Sequence, residues 1–192
     1  DFMSGVVHLG ITNRYSNGRS GVNYSVKPEI NKAPAFIKTD YIPTNYMNLV
    51  CTEVSYLNGP LWVFSEYTHN YINSTNNGSM NLSTFQVTGS WVLTGEHRTY
   101  NYNNGTVNPI PVANSIKQGG VGAWELTARY ANYNFMDNPI QAAKMNVASL
   151  GFNCWLTSSA SLSVNYHYIK QKEPETIGIS NALNTRIMLI LN

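Results

Sequence analysis

The chain has 192 residues, of which only 11% are charged, and a formal net charge of +2. So small an excess argues against a nucleic-acid partner, and the charge content lies far below the roughly 25% usual in soluble domains. Asn, Ser, Thr, Gly and 13 tyrosines fill the gap, and no run of about 18 apolar residues offers a transmembrane helix. The first residues show no basic-then-apolar leader, which reads as a leader already removed or a start further upstream.

Residues 4–15 alternate, with Val7, Leu9 and Ile11 on one face and His8, Gly10, Thr12 and Arg14 on the other. That period of two predicts a strand. Ser16-Asn17-Gly18 is a turn signal. A second alternating segment, 21–27, sets Val22, Tyr24 and Val26 against Asn23, Ser25 and Lys27 and predicts a second strand. Residues 28–44 carry Pro28, Pro34 and Pro43 and read as a long irregular loop. A third strand is expected over 45–57, a tight turn at Asn58-Gly59-Pro60, and a fourth strand over 61–72. Glu53, Phe64 and Glu66 fall on the polar face of this pair.

The polar stretch 73–80 separates these from a fifth strand, 82–95, with Phe85, Val87, Trp91 and Leu93 on one side. A second long loop is expected over 96–119. The clearest alternation in the chain follows at 122–130. Trp124, Leu126, Ala128 and Tyr130 lie on one face, Glu125, Thr127 and Arg129 on the other. Strands over 145–156, 160–171 and 183–191 complete a set of nine.

A polar-and-apolar strand suits either a soluble β-sandwich or a membrane barrel, where the apolar face meets lipid and the polar face a wet lumen. Two features favour the barrel. The strands run about 9–13 residues, the length a tilted strand needs to cross a bilayer, against about 5–6 in typical sheets. Tyr15, Tyr46, Tyr56, Tyr67, Tyr71, Tyr130 and Tyr168 also fall toward strand ends, as interfacial girdles do. The fold class expected is therefore all-β, an antiparallel transmembrane β-barrel. Single-chain barrels of this kind have even strand numbers, so nine strands read as the C-terminal part, 1–192, of one larger barrel domain. With nine, the start of the chain and its end lie at opposite rims, the end periplasmic. Arg14 and Arg186 are both expected near the periplasmic rim.

Cys51 falls on a polar face and Cys154 on an apolar one, which argues against a disulfide. No metal motif, phosphate loop or nucleophile elbow is present, so neither a metal, a cofactor nor an enzyme activity is expected.

Two longer motifs carry a resemblance. Ser90-Trp91-Val92-Leu93-Thr94-Gly95-Glu96-His97-Arg98-Thr99-Tyr100 is similar to a signature of the phosphate-selective porin O and P family, and Gly122-Ala123-Trp124-Glu125-Leu126 with Arg129-Tyr130 resembles the next one. Lys27-Pro28-Glu29, Gly59-Pro60 with Glu66-Tyr67, Leu150-Gly151-Phe152-Asn153 and Val164-Asn165-Tyr166 follow the family's order. The resemblance implies the C-terminal half of a sixteen-stranded, homotrimeric porin in the bacterial outer membrane. It would sit in the lipid bilayer and pass small anions, phosphate or polyphosphate, without a cofactor. The sequence departs from the family pattern at Asn23, Ser25, Phe64, Cys154-Trp155 and the non-aromatic end Leu189-Ile190-Leu191-Asn192. A general, weakly selective porin and a plugged structural or adhesion barrel therefore stay open.

Arginine and lysine suit phosphate because they supply charge-assisted donors, arginine bidentately. The anion-binding candidates are Arg129, Lys27, Lys32, Lys38, Arg98 and Lys117, the last and Arg98 only if loop 96–119 folds inward. Glu53, Glu66 and Glu125 would repel anions if unpaired and read as a luminal wall network, with Arg129 pairing Glu53 or Glu66. Glu125 lies roughly 13 Å from Arg129 along the strand, too far to pair. His8 and His167 read as wall residues rather than ligands.

Overall fold

A computed structural model describes residues 5–17, 21–137 and 142–190. Eight long strands of 12–15 residues form one antiparallel sheet: β1 (Val6–Asn17), β4 (Thr44–Asn58), β5 (Leu61–Ser74), β6 (Gly78–Val92), β9 (Ala123–Asn134), β10 (Lys144–Thr157), β11 (Ala160–Lys172) and β12 (Ile177–Leu189), adjacent in that order. Two minor ladders, β2 (Ser25–Val26) with β3 (Ile37–Lys38) and β7 (Tyr100–Asn101) with β8 (Thr106–Val107), belong to the two long loops. Among the described residues there is no α-helix, only a single 3-10 turn at Ile116–Gln118. Among the described residues no helix is long and apolar enough to cross a membrane, which says nothing about strands.

The sheet turns the usual distribution of polarity around. Leu150, in mid-sheet, is 64% exposed, whereas Glu125 two strand positions from Trp155's pairing line is 1% exposed. One face is bare and apolar, with Val54, Val63, Trp91, Leu126, Leu150, Leu162 and Ile187 all exposed. The other face is polar and carries both long loops. A soluble monomer rarely exposes so extended an apolar surface. Rings line both margins of the bare face: Tyr15 stacks near Tyr46 at 6.0 Å and Tyr46 near Tyr71 at 6.1 Å, and at the opposite end Trp124 meets Phe152 edge-on at 5.3 Å.

Four expectations need correction. The segment 21–27 is not a wall strand, so the sheet has eight long strands rather than nine. β1 pairs directly with β4 across the whole register from Val6 opposite Leu57 to Asn17 opposite Tyr46, which leaves no place for 21–27 between them. Its alternation has another origin: Val22, Tyr24 and Val26 turn into an apolar cluster while the intervening residues are exposed or half-exposed. With one strand fewer, Val6 and Leu189 lie at the same end of the sheet, beside the turns at 59–60 and 158–159. Arg14 consequently sits at the far end, opposite Leu49, while Arg186 lies toward the near one. Boundaries also shift: the fifth predicted strand is Gly78–Val92 rather than 82–95, and the last is Ile177–Leu189 rather than 183–191. The expected turn residue Gly18 and the terminal Leu191-Asn192 lie outside the described residues.

The hairpin at Asn58-Gly59-Pro60 needs its glycine, which sits at φ 55°, a region that L side chains rarely occupy. At the end remote from it, loop 21–43 packs Ile37 and Ile42 against Ile72, Met80, Leu82, Met145, Val147 and Ile169. This is the main core, and it lies on the loop-covered face. At the near end loop 93–122 builds a smaller cluster of Val92, Ile110 and Ala123. Cys51 lies opposite Thr12 on the covered face and Cys154 opposite Trp124 on the bare one, and both are free.

Candidate functional site

The alternation of β9 sends Glu125, Thr127 and Arg129 to the covered face, and the loops decide what each meets. At the near end, loop 93–122 swings over the sheet and sets Arg98 Nη2 2.7 Å from Glu125 Oε1. Ser90 Oγ also donates to that carboxylate, and Asn153 Nδ2 donates to its other oxygen at 2.9 Å. Three donors therefore engage the two oxygens of Glu125, which is how a buried carboxylate is tolerated. The Arg98 guanidinium stacks over the Trp62 ring at 5.5 Å, a favourable cation–π contact, and Nη1 donates to Asn108 O at 3.3 Å.

Beside it, His8 bridges loop and wall. Its Nδ1 lies 2.5 Å from Tyr100 Oη and its Nε2 3.0 Å from Glu53 Oε1. The Nε2–H tautomer satisfies both bonds, accepting from the phenol and donating to the carboxylate. Glycine at position 10 makes room, since a Cβ there would stand 2.6 Å from Glu53 Oε1. Glu66 lies opposite Glu53 in the ladder and accepts from Thr68 at 3.5 Å.

In mid-sheet, Arg129 Nε donates to Glu29 Oε1 at 3.0 Å, and Nη2 donates to Gln86. Tyr133 Oη donates to the same Glu29 oxygen at 3.2 Å. The carboxylate that meets Arg129 thus comes from loop 21–43 rather than from Glu53 or Glu66, because the loop's docking brings residue 29 over β9. An open cavity of about 440 Å³ adjoins this pair, lined by Arg129, Arg186, Thr127, Asn165, Asn184 and His167 among others. His167 is buried, with Nδ1 2.8 Å from Ser149 Oγ and Nε2 unpaired among the described residues. Arg129's side chain is 36% exposed and so remains open to a solute.

The structure brings some candidates together and leaves others apart. Arg98 joins Glu125, and Glu53 and Glu66 face each other across one ladder. Lys27, Lys32, Lys38 and Lys117 are exposed and form no ion pair among the described residues; Lys27 Nζ donates to Asn31 O at 2.9 Å. Sequence reasoning passed over Glu29, Gln86 and Arg186 as partners in one site. The Lys27-Pro28-Glu29 motif was visible, but nothing local shows that residues 29, 86 and 129 meet. Among the described residues no three His, Cys, Asp or Glu side chains gather to hold a metal.

No curated protein matches the chain at a meaningful level of similarity. The sequence model for phosphate-selective porin O and P matches residues 6–185, nearly the whole described sheet from β1 into β12, and the chain belongs to that family of porins.

Proposed function

We propose that this chain is part of the wall, with the inner loops, of a bacterial outer-membrane pore through which small anions, phosphate or polyphosphate foremost, diffuse passively. The observation that carries the reading is the division of the sheet: an apolar face left bare and a polar face on which Arg129 and Arg186 border one open cavity. A strand barrel crosses a bilayer by placing its apolar face in lipid and its polar face on water. Several arginines of partial exposure suit an anion path, because conduction needs binding weak enough for release.

In this reading β1 and β12, which have no outer neighbour among the described residues, pair with further strands to close a barrel, sixteen as the family resemblance implies. An open sheet edge is not tolerated in lipid. The rim holding turns 59–60 and 158–159 faces the periplasm, since short turns belong there, and loop 21–43 enters from outside. Arg98, with Lys27, Lys32, Lys38 and Lys117, adds positive charge along the path, and Glu53, Glu66 and Glu125 form a braced wall. Pores of this kind assemble as homotrimers, need no cofactor and carry out no chemistry.

The test is a planar-bilayer recording of the intact pore in a KCl gradient, followed by phosphate titration. A reversal potential near the chloride limit with phosphate block is the expected result. A potential near zero without block overturns anion selectivity and leaves a general porin. One observation favours a second reading: the apolar cluster around Ile37 and Ile42 fills part of the covered face, as a plug would. Absence of any conductance selects that plugged structural barrel.

A further inference from the structure

Glu29 has no evident task in an anion path, where a carboxylate repels the solute, yet the fold holds it in place at some cost. Its φ is 62°, the only positive value at a non-glycine residue among those described. Such a conformation persists only where the surroundings over-determine it. They do so here: Pro28 is fully buried, Ile30 packs against the main apolar cluster, and Ala33 N donates to Ile30 O at 3.1 Å to close the turn. The strained backbone aims the carboxylate at one guanidinium, and Tyr133 braces it from the side. Glu29 is also the one acid lining the cavity that Arg129 and Arg186 border. Without it Arg129 and Arg186 would border that space with no acid among the described residues lining it.

We propose that Glu29 is a built-in counter-anion that sets the selectivity of the pore: its carboxylate occupies the position on Arg129 that a passing oxyanion takes, so entry is an exchange of one anion for another. This rests on the anion-pore reading given above. Carboxylate and phosphate engage a guanidinium through the same charge-assisted hydrogen bonds, so the two compete on equal chemical terms. The Arg129–Gln86 bond keeps the guanidinium oriented through the exchange. A solute that leaves is replaced by the returning carboxylate, which lowers the barrier to release and keeps the site from trapping its cargo. Monovalent anions of low charge density, which compete poorly with a tethered carboxylate, are held back relative to phosphate.

The experiment compares the intact pore with Glu29→Gln, Glu29→Gly and the double variant Glu29→Gln/Arg129→Gln in planar bilayers, reading chloride-over-potassium permeability and the inorganic phosphate concentration that halves the current. Glu29→Gly relieves the backbone at positive φ while removing the charge, so it keeps the loop in place if Glu29→Gln disturbs it. Both single variants are expected to raise the permeability ratio several-fold and to lower the half-blocking phosphate concentration about tenfold. The double variant is expected to lose that gain. Conducting single variants indistinguishable from the parent overturn the proposal and leave the anion pore standing. An effect in Glu29→Gly but not in a folded Glu29→Gln overturns it in favour of a backbone role. A parent that does not conduct overturns the pore reading and this proposal with it.

Discussion

The loop between β1 and β4 carries Ile37 and Ile42, both nearly inaccessible, into a cluster with six side chains or more of the sheet, whereas the loop between β6 and β9 is held chiefly by Arg98 on Glu125 and by Tyr100 on His8. Both lie over the same face. The first is fastened as a soluble core is fastened, by apolar area removed from water. The second is fastened by directed polar contacts around a small cluster of Val92, Ile110 and Ala123. The difference follows from what each loop buries: residues 21–43 set Val22, Tyr24, Val26, Ile30, Phe36, Ile37 and Ile42 in or against the main cluster, whereas in 93–122 only Ile110 and Val112 reach the small cluster while Leu93, Ile116 and Val121 stay exposed. A polar anchorage depends on single groups. An apolar one spreads its stability over many.

That contrast can be broken most sharply at Arg98. Arg98→Ala leaves the Glu125 side chain, 2% exposed, without its cation, and losing one partner of a buried pair costs about 3–5 kcal/mol. The expected outcome is a lower urea midpoint of the detergent-folded protein and rapid protease cleavage within 93–122, with 21–43 still protected. An unchanged midpoint would show that Ser90 and Asn153 suffice for Glu125. The matching change in the other loop is Ile37→Ala, expected to cost about 2–5 kcal/mol through the cavity it leaves. Cleavage should then appear within 21–43 and spare 93–122. Cleavage of both loops together would mean that they dock as one unit.

A smaller effect is expected from Tyr100→Phe, which removes one hydrogen bond to His8 worth about 1 kcal/mol; its readout is a modest rise in protease susceptibility of 93–122. The smallest concerns salt. Raising ionic strength from about 0.1 M to 1 M shortens the screening length from about 10 Å to 3 Å. The buried Arg98–Glu125 pair should barely respond. The Arg129–Glu29 pair, whose arginine is 36% exposed, should weaken, and spin labels on loop 21–43 should report greater mobility near residue 29 only.

The long strands were legible because each has two faces in contact with different media, and a period of two records that directly. Trp124-Glu125-Leu126 and Leu162-Ser163-Val164 place their side chains as alternation predicts. The same signal misleads at Val22, Tyr24 and Val26. Alternation reports an extended segment with one buried face, and says nothing about which backbone it pairs with. Here the segment makes only a bridge from Val22 to Ile42 and the two-residue β2–β3 ladder. Strand ends beyond the apolar band were hard to place for the opposite reason. Ser79 and Asn81 of β6 pair with Asn73 and Tyr71 of β5, but they look like loop residues because they are polar and exposed on the face that is apolar farther along the strand. The site was legible only in its wall half. Arg98, Glu125 and Arg129 stand in recognisable motifs, whereas Glu29 reaches Arg129 across 100 positions of sequence, and that closure is set by the packing of the whole loop.

The two rows of rings on the bare face carry one more consequence. Tyr71 belongs to the row at one margin. Leu61, ten positions earlier on the same strand, lies opposite Trp91 at the other. Ten residues of strand span about 33 Å, and a tilt of about 40° brings the height between the rows to about 25 Å. Rings of this kind settle at the boundary between headgroups and acyl chains, so the spacing acts as a gauge. In a pore of this family the protein carries the thickness of its own bilayer in its sequence. It matches a membrane thinner than average, and a thicker one would have to compress around it or leave it tilted.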